Sequence, residues 1–306
     1  MKPKSWQIIL VLSIGVLAVS MAAIFARLSM EAGGKQSIDF SLFLAASRLV
    51  IAALILLPTW RKIPQLQVSP SAYYYAIAAG ICLALHFATW ISSLAFTSIA
   101  ASTTLVTTNP IWVGLLSRWW LKEKLSQQSI LGIAIALTGG ILIALGDADS
   151  SSSYSNPILG DILALVGAWM ASLYIILGSQ AQQQGLNLSN YIAIAYSSAA
   201  IILLPLPLLF QGSYLGYPLI VYLYVLLMAI VSQLFGHTSF NWALRWISPN
   251  LISLTLLLEP ITSSWLGFII FNEIPSRLVF IGGLILLTGV GISLLGKKEK
   301  RRSLDN

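Results

Sequence analysis

Charge is what this sequence has least of. Only 9% of its 306 residues are charged, against about 25% in a typical soluble domain. With 57% hydrophobic residues and a mean hydropathy of +0.85, too few charges remain to cover a water-facing surface. That excludes an ordinary soluble globule and predicts a protein that crosses a bilayer many times. A single cysteine, Cys82, excludes an internal disulfide. Two histidines and one cysteine fall in unrelated places, so no metal or haem spacing exists and no cofactor is expected. There is no GxxxxGK[ST], no HExxH, and no acidic pair or serine motif of an intramembrane protease. The chain thus has no nucleotide-driven motor and no recognisable catalytic centre, and is not expected to be an enzyme. The net charge of +7 does not indicate nucleic acid, because the basic residues sit in short loops and at the tail.

What is present is a long internal repeat. Leu94–Gly146 reads again, without a gap, 150 positions later as Leu244–Gly296. The copies share Ser98/Ser248, Pro110/Pro260, Glu123/Glu273, Gly132/Gly282, Thr138/Thr288 and Gly139/Gly289, among others. Each copy is an apolar helix with a mid-span proline, a turn carrying a glutamate, and a glycine-rich apolar helix. Proline removes one backbone hydrogen bond from a helix and kinks it. Interrupted helices at matching places in two halves point to the binding site of a transporter.

A span needs about 20 mostly apolar residues. Ten segments qualify: 6–28, 39–57, 72–95, 98–119, 127–146, 158–180, 189–210, 218–243, 249–271 and 276–296. The expected fold is therefore an all-α membrane protein of ten transmembrane helices, arranged as two inverted five-helix repeats. The first repeat covers 1–146, a Ser-rich acidic linker 147–157, the second repeat 158–296, and a basic tail 297–306. The N-terminal apolar run continues through Phe25 and reads as a first span, not a signal core of ~7–15 residues. Thirteen of the 17 Lys and Arg fall on one side if the N-terminus is inside. The positive-inside rule then predicts cytoplasmic termini. Five spans per repeat turn the second half upside down.

A polar group in hydrocarbon is costly and needs a reason. Glu259, just before Pro260 at mid-span, is the candidate coupling group; a structural pair with Arg48 in span 2 is the competing explanation. Asn109 holds the equivalent place before Pro110, and the kinks free the carbonyls of Val106 and Leu256. Helical spacing places Thr103 and Thr107 in span 4, and Thr255 and Thr262 in span 9, on the same faces. His86 and Trp90 in span 3, Gln233, His237 and Asn241 in span 8, Trp169 and Ser172 in span 6, and Ser20 in span 1 complete the expected substrate path. For any single threonine of span 4, bonding its own helix backbone is the better explanation. Arg48 is assigned a structural role. Glu123 and Glu273 are expected to cap the next helix or to pair with Lys122, Lys124 or Arg277. Ala136, Gly140 and Ala144, with Gly282, Gly283, Gly289 and Gly291, are expected to let helices approach closely.

These features resemble the drug/metabolite transporter superfamily, in particular its EamA-type ten-span members. The resemblance covers essentially the whole chain. It is carried by Asn109–Pro110 and Glu259–Pro260, the turn glutamates Glu123 and Glu273, the runs Leu131–Gly140 and Gly282–Val290, and Arg48 in the second span. Unlike the small four-span multidrug members, span 1 has no mid-membrane acid. The resemblance implies an inner-membrane carrier of small organic metabolites, often an exporter of amino acids. It also implies a central path between spans 1, 3, 4, 6, 8 and 9. The expected partners are a small-molecule substrate and the lipid bilayer. Substrate, direction, coupling ion and oligomeric state, a homodimer included, stay open at this point, as do a lipid-carrier flippase and a non-transporting intramembrane scaffold or enzyme.

Overall fold

The computed structural model describes residues 3–61, 63, 67–121, 127–149 and 154–302. Every regular element among them is helical. They are α1 (Ser5–Gly33), α2 (Ile38–Ile55), α3 (Leu57–Trp60), α4 (Pro70–Ser93), α5 (Ile99–Val106), α6 (Asn109–Leu121), α7 (Gln127–Asp149) and α8 (Pro157–Gln183). Then come α9 (Leu188–Leu203), α10 (Leu206–Leu209), α11 (Leu219–Leu227), a π-helical stretch Met228–His237, α12 (Thr238–Ala243), α13 (Pro249–Leu256), α14 (Glu259–Phe271) and α15 (Arg277–Arg302).

Seven of the described helical segments are long and apolar enough to cross a bilayer: Ser5–Gly33, Ile38–Ile55, Pro70–Ser93, Ile99–Leu116, Pro157–Gln183, Leu188–Leu209 and Leu219–Ala243. Helices also occupy the other three expected spans, as α7, α13–α14 and α15. There the apolar stretches are shorter, Ile130–Ile143 and Arg277–Gly289. The protein is a multi-pass membrane protein.

Local chemistry sets the ends. The side chains of Ser98, Asn156 and Asn187 accept from Ala101 N, Leu159 N and Asn190 N, capping α5, α8 and α9. Gly34 takes the left-handed conformation (φ 61°) that closes α1. The prolines do more than kink. Span 4 stops at Val106 and restarts at Asn109; span 9 stops at Leu256 and restarts at Glu259.

The packing repeats when the halves are exchanged. α4 lies along α8, and α1 lies along α11 and the π-helical stretch. α4 meets α9 as the π-helical stretch meets α2. α5 and α6 meet α8 as α13 and α14 meet α1. The pair α7 and α15 makes the point sharpest. A Cβ on Gly139 would lie 2.6 Å from Gly282 O, and one on Gly289 would lie 2.6 Å from Gly132 O. The two contacts are one contact shifted by 150 residues. Gly139, Gly282 and Gly289 therefore bring the backbones together, as small residues do between membrane helices. The expectation for Gly140, Gly283 and Gly291 is corrected: added Cβ atoms there would meet nothing nearer than 3.9 Å. A helix presents one face to its partner, and these three sit one residue or more away from it. Ala136 is buried at this contact, and the side chain of Ala144 lies outside the described residues.

Candidate functional site

The two helix breaks face one cavity of about 50 Å³, room for a few water molecules. Its walls come from α1, α4, α5, α6, α8, the π-helical stretch, α12, α13 and α14. These are spans 1, 3, 4, 6, 8 and 9, the set the resemblance implies. His86, Trp90, Thr107, Asn109, His237, Asn241 and Glu259 all line it.

Asn109 and Glu259 each open a 13-residue helix. Asn109 Oδ1 accepts the Ser172 hydroxyl at 3.2 Å. Glu259 is 8% exposed, and among the described residues its carboxylate has no hydrogen-bond or ion-pair partner. A buried polar group without a partner is costly. This acid, turned into a cavity, is therefore the group best placed to meet something absent from the protein itself.

The aromatic wall is ordered. The His86 ring stacks on Trp90, with centroids 5.8 Å apart and planes 3° apart. His237 approaches the His86 ring at 6.4 Å and Phe87 edge-on at 5.1 Å. Asn241 Nδ2 donates to the hydroxyls of Tyr174 (2.6 Å) and Tyr196 (3.2 Å).

Arg48 lies behind this wall, fully buried. Its Nη2 donates to Gln233 Oε1 at 2.9 Å, and its Cζ sits 4.0 Å from the centre of the Phe87 ring. Nε and Nη1 have no hydrogen-bond partner among the described residues. Arg48 and Glu259 make no direct ion pair, which among the described residues is found at Arg27–Glu273, although the two groups still interact electrostatically at longer range. Arg48 instead holds Gln233 in the π-helical stretch, where the extra residue per turn reshapes the helix at the site.

Other expected path residues are elsewhere. Trp169 is 46% exposed on the outside of the bundle. In α8 the inward face is Ala171, Tyr174 and Ile175, and Trp169 lies outside that i, i+3, i+4 stripe. Ser172 is buried next to the cavity wall, its hydroxyl shared between Ala168 O of its own helix (2.8 Å) and Asn109 Oδ1 (3.2 Å). Gln233 gives its Oε1 to Arg48, while its Nε2 is buried without a hydrogen-bond partner among the described residues. Ser20 and Thr103 bond Val16 O (2.8 Å) and Ile99 O (2.6 Å) of their own helices. Thr255 and Thr262 likewise bond Leu251 O (3.0 Å) and Leu258 O (3.1 Å). The break at Leu257–Leu258 interrupts the helical phase that would have aligned them with Glu259. Tyr174 and Phe240 were not expected in the wall. The i, i+3, i+4 spacing of Ala171, Tyr174 and Ile175 was the signal for Tyr174.

At one end of the bundle a second polar cluster joins both halves. Arg27 Nη1 stands 3.6 Å from Glu273 Oε2 and donates to the Tyr154 hydroxyl at 2.9 Å. Arg27 Nη2 donates to Thr97 O at 2.9 Å. Glu273 Oε1 accepts Ile99 N at 2.6 Å, which caps α5. Burial pushes the Tyr154 phenol up, with the Arg27 charge pulling the other way. Glu273 thus caps a helix of the opposite half and pairs with Arg27, not with Arg277. Glu123, Lys122 and Lys124 lie outside the described residues.

With this geometry in hand, known proteins are informative. The model of the EamA-like transporter family matches the chain twice, over residues 5–145 and 158–295. An uncharacterized transporter of Archaeoglobus fulgidus is 24% identical over 92% of this chain and 95% of its own length. The uncharacterized transporter YyaM of Bacillus subtilis is 24% identical over 80% of this chain and 82% of its own. A crystal structure at 15% identity shares the fold, with a TM-score of 0.65 over 96% of this chain and 99% of that one.

Proposed function

We infer that this chain, which belongs to the EamA-like transporter family, is a secondary transporter that exports small organic metabolites such as amino acids. Alternating access runs between two inverted five-helix repeats, 1–146 and 158–296, joined by the 147–157 linker. Ten spans cross the inner membrane, and both termini, including the 297–306 tail, are cytoplasmic. The observation that carries the reading is Glu259: an acid with no hydrogen-bond or ion-pair partner among the described residues, at a helix break, in a cavity built from both halves. A carboxylate so placed takes up a proton or a cation on one side and releases it on the other. Arg27 and Glu273 close the outer end, and the small cavity is the occluded path. The family and the relatives carry the name of transporters, in keeping with the missing catalytic motifs.

The test is flux in proteoliposomes holding the purified full chain, with a pool of labelled amino acids and small metabolites, with and without a pH gradient. Uptake of one class above empty vesicles is the expected result. No flux of any pool member, combined with movement of a labelled lipid between leaflets, would replace the reading with a flippase.

A further inference from the structure

His86 carries a detail that the transport reading does not use. Its Nδ1 is 2.9 Å from the carbonyl oxygen of Gly167 on α8. A carbonyl only accepts, so Nδ1 bears the hydrogen. A neutral imidazole with Nδ1–H has a bare lone pair at Nε2, and the bond at one nitrogen sets the role of the other. The ring lines the cavity and is more than nine-tenths buried. Among the described residues Nε2 has no hydrogen-bond partner.

The ring cannot easily turn away from this role. Trp90 stacks flat against it, and Phe87 packs at 4.7 Å. Gly167 is the enabling neighbour. A Cβ there would lie 3.3 Å from Thr89 Oγ1, Trp90 Cβ and Val106 Cγ2. A Cβ there would press on both α4 and α5 and push α8 back by a few tenths of an ångström, lengthening the bond from its carbonyl to His86.

We propose that Gly167 is a positioning residue that locks His86 as the Nδ1–H tautomer, so that Nε2 is a fixed hydrogen-bond acceptor for the cargo and helps to select it. His86 comes from the first half and Glu259 from the second. Both present acceptors to the same cavity, so the cargo group seated between them carries hydrogens on nitrogen or oxygen. A cargo end made only of acceptors, such as a second carboxylate, is disfavoured there. The inference rests on the transport reading for what the acceptor is for, but not for the state of the ring.

The chain has only two histidines, which makes the ring directly observable. Full-length protein labelled with ¹⁵N-histidine, in lipid vesicles without cargo, is expected to show His86 with a protonated Nδ1 and a bare Nε2 at neutral pH. His237→Gln assigns the signals. Gly167→Ala is expected to shift the His86 nitrogens and leave those of His237 in place. An Nε2–H tautomer, or a doubly protonated ring, overturns the proposal. Flux of the labelled amino-acid pool gives the second arm. His86→Asn keeps a donor for Gly167 O but has no atom at the Nε2 position, and is expected to lower flux about tenfold, the equivalent of one hydrogen bond of about 1.4 kcal/mol. His86→Gln, which reaches that position with an acceptor, is expected to retain more. Equal flux for His86→Asn and wild type overturns the selective role. Absence of flux in wild type would overturn the transport reading alone, and the nitrogen spectra would still decide the tautomer.

Discussion

In the first broken span, Asn109 stands at the start of α6 with its side-chain oxygen taken by Ser172. In the second, Glu259 stands at the start of α14 with no partner among the described residues. The backbone at the two places is nearly the same: a short helix, two non-helical residues, then a 13-residue helix with proline second. One symmetric frame thus presents two helix N-termini to the cavity, and only one of them carries an ionisable side chain. A neutral amide can be locked by a single hydrogen bond at little cost. A carboxylate in that setting stays expensive until something arrives to compensate it. The lesson is that the repeat supplies the path and the departure from the repeat supplies the chemistry.

The ends of the bundle differ in the same way. Arg27, Thr97 and Ile99 form the Glu273 cluster; at repeat offsets of 152 and 150 the sequence has Ser179, Ile247 and Pro249. Serine has no charge to pair, and proline has no N–H to donate. The second half cannot reproduce the latch that the first half offers.

The largest expected effect comes from making the two breaks alike. Glu259→Gln is expected to abolish flux driven by a pH gradient while exchange of the same solute partly survives. Equal proteoliposome transport by mutant and wild type at every pH would break the contrast. Next, Arg27→Ala removes one partner of a mostly buried pair, and should cost about 3–5 kcal/mol. The readout is a lowered midpoint of thermal unfolding in detergent. Glu273→Gln should cost less, because its amide oxygen still caps Ile99 N. A third experiment tests the symmetric part. Gly139→Ala and Gly289→Ala drive a methyl into the facing backbone in equivalent places, and each should cost about 1–3 kcal/mol. Clearly different costs would mean that the α7–α15 contact is not shared equally by the halves. The smallest effect is that of Asn109→Ala. It loses the Ser172 bond, about 1 kcal/mol, and should lower flux modestly without changing its pH dependence.

Much of this was legible in order along the chain. Pro110 and Pro260 announced the breaks, because proline acts on its own helix. Asn109, His86, Trp90, His237, Asn241 and Glu259, picked out by helical spacing, line one cavity. Where the phase changes, spacing misleads. The π-helical stretch turns Gln233 towards Arg48, and the break at Leu257–Leu258 takes Thr255 and Thr262 out of the path. Trp169 was misread because aromatic and polar residues look alike as wall material, and only the neighbouring helix decides which stripe of α8 faces inward.

Composition, the 150-residue repeat and the prolines were enough to specify a helical membrane protein of two matching halves with a broken span in each. Those properties depend on neighbours a few residues apart and on the cost of polar groups in lipid. Which polar groups are spent and which are free was settled by packing. Arg48 finds Gln233 185 residues away, Asn109 finds Ser172 63 residues away, and Glu273 finds Ile99 174 residues back. A hydrogen bond reaches about 3 Å, so only the folded arrangement of the helices determines which partners meet and, among the described residues, leaves Glu259 without one.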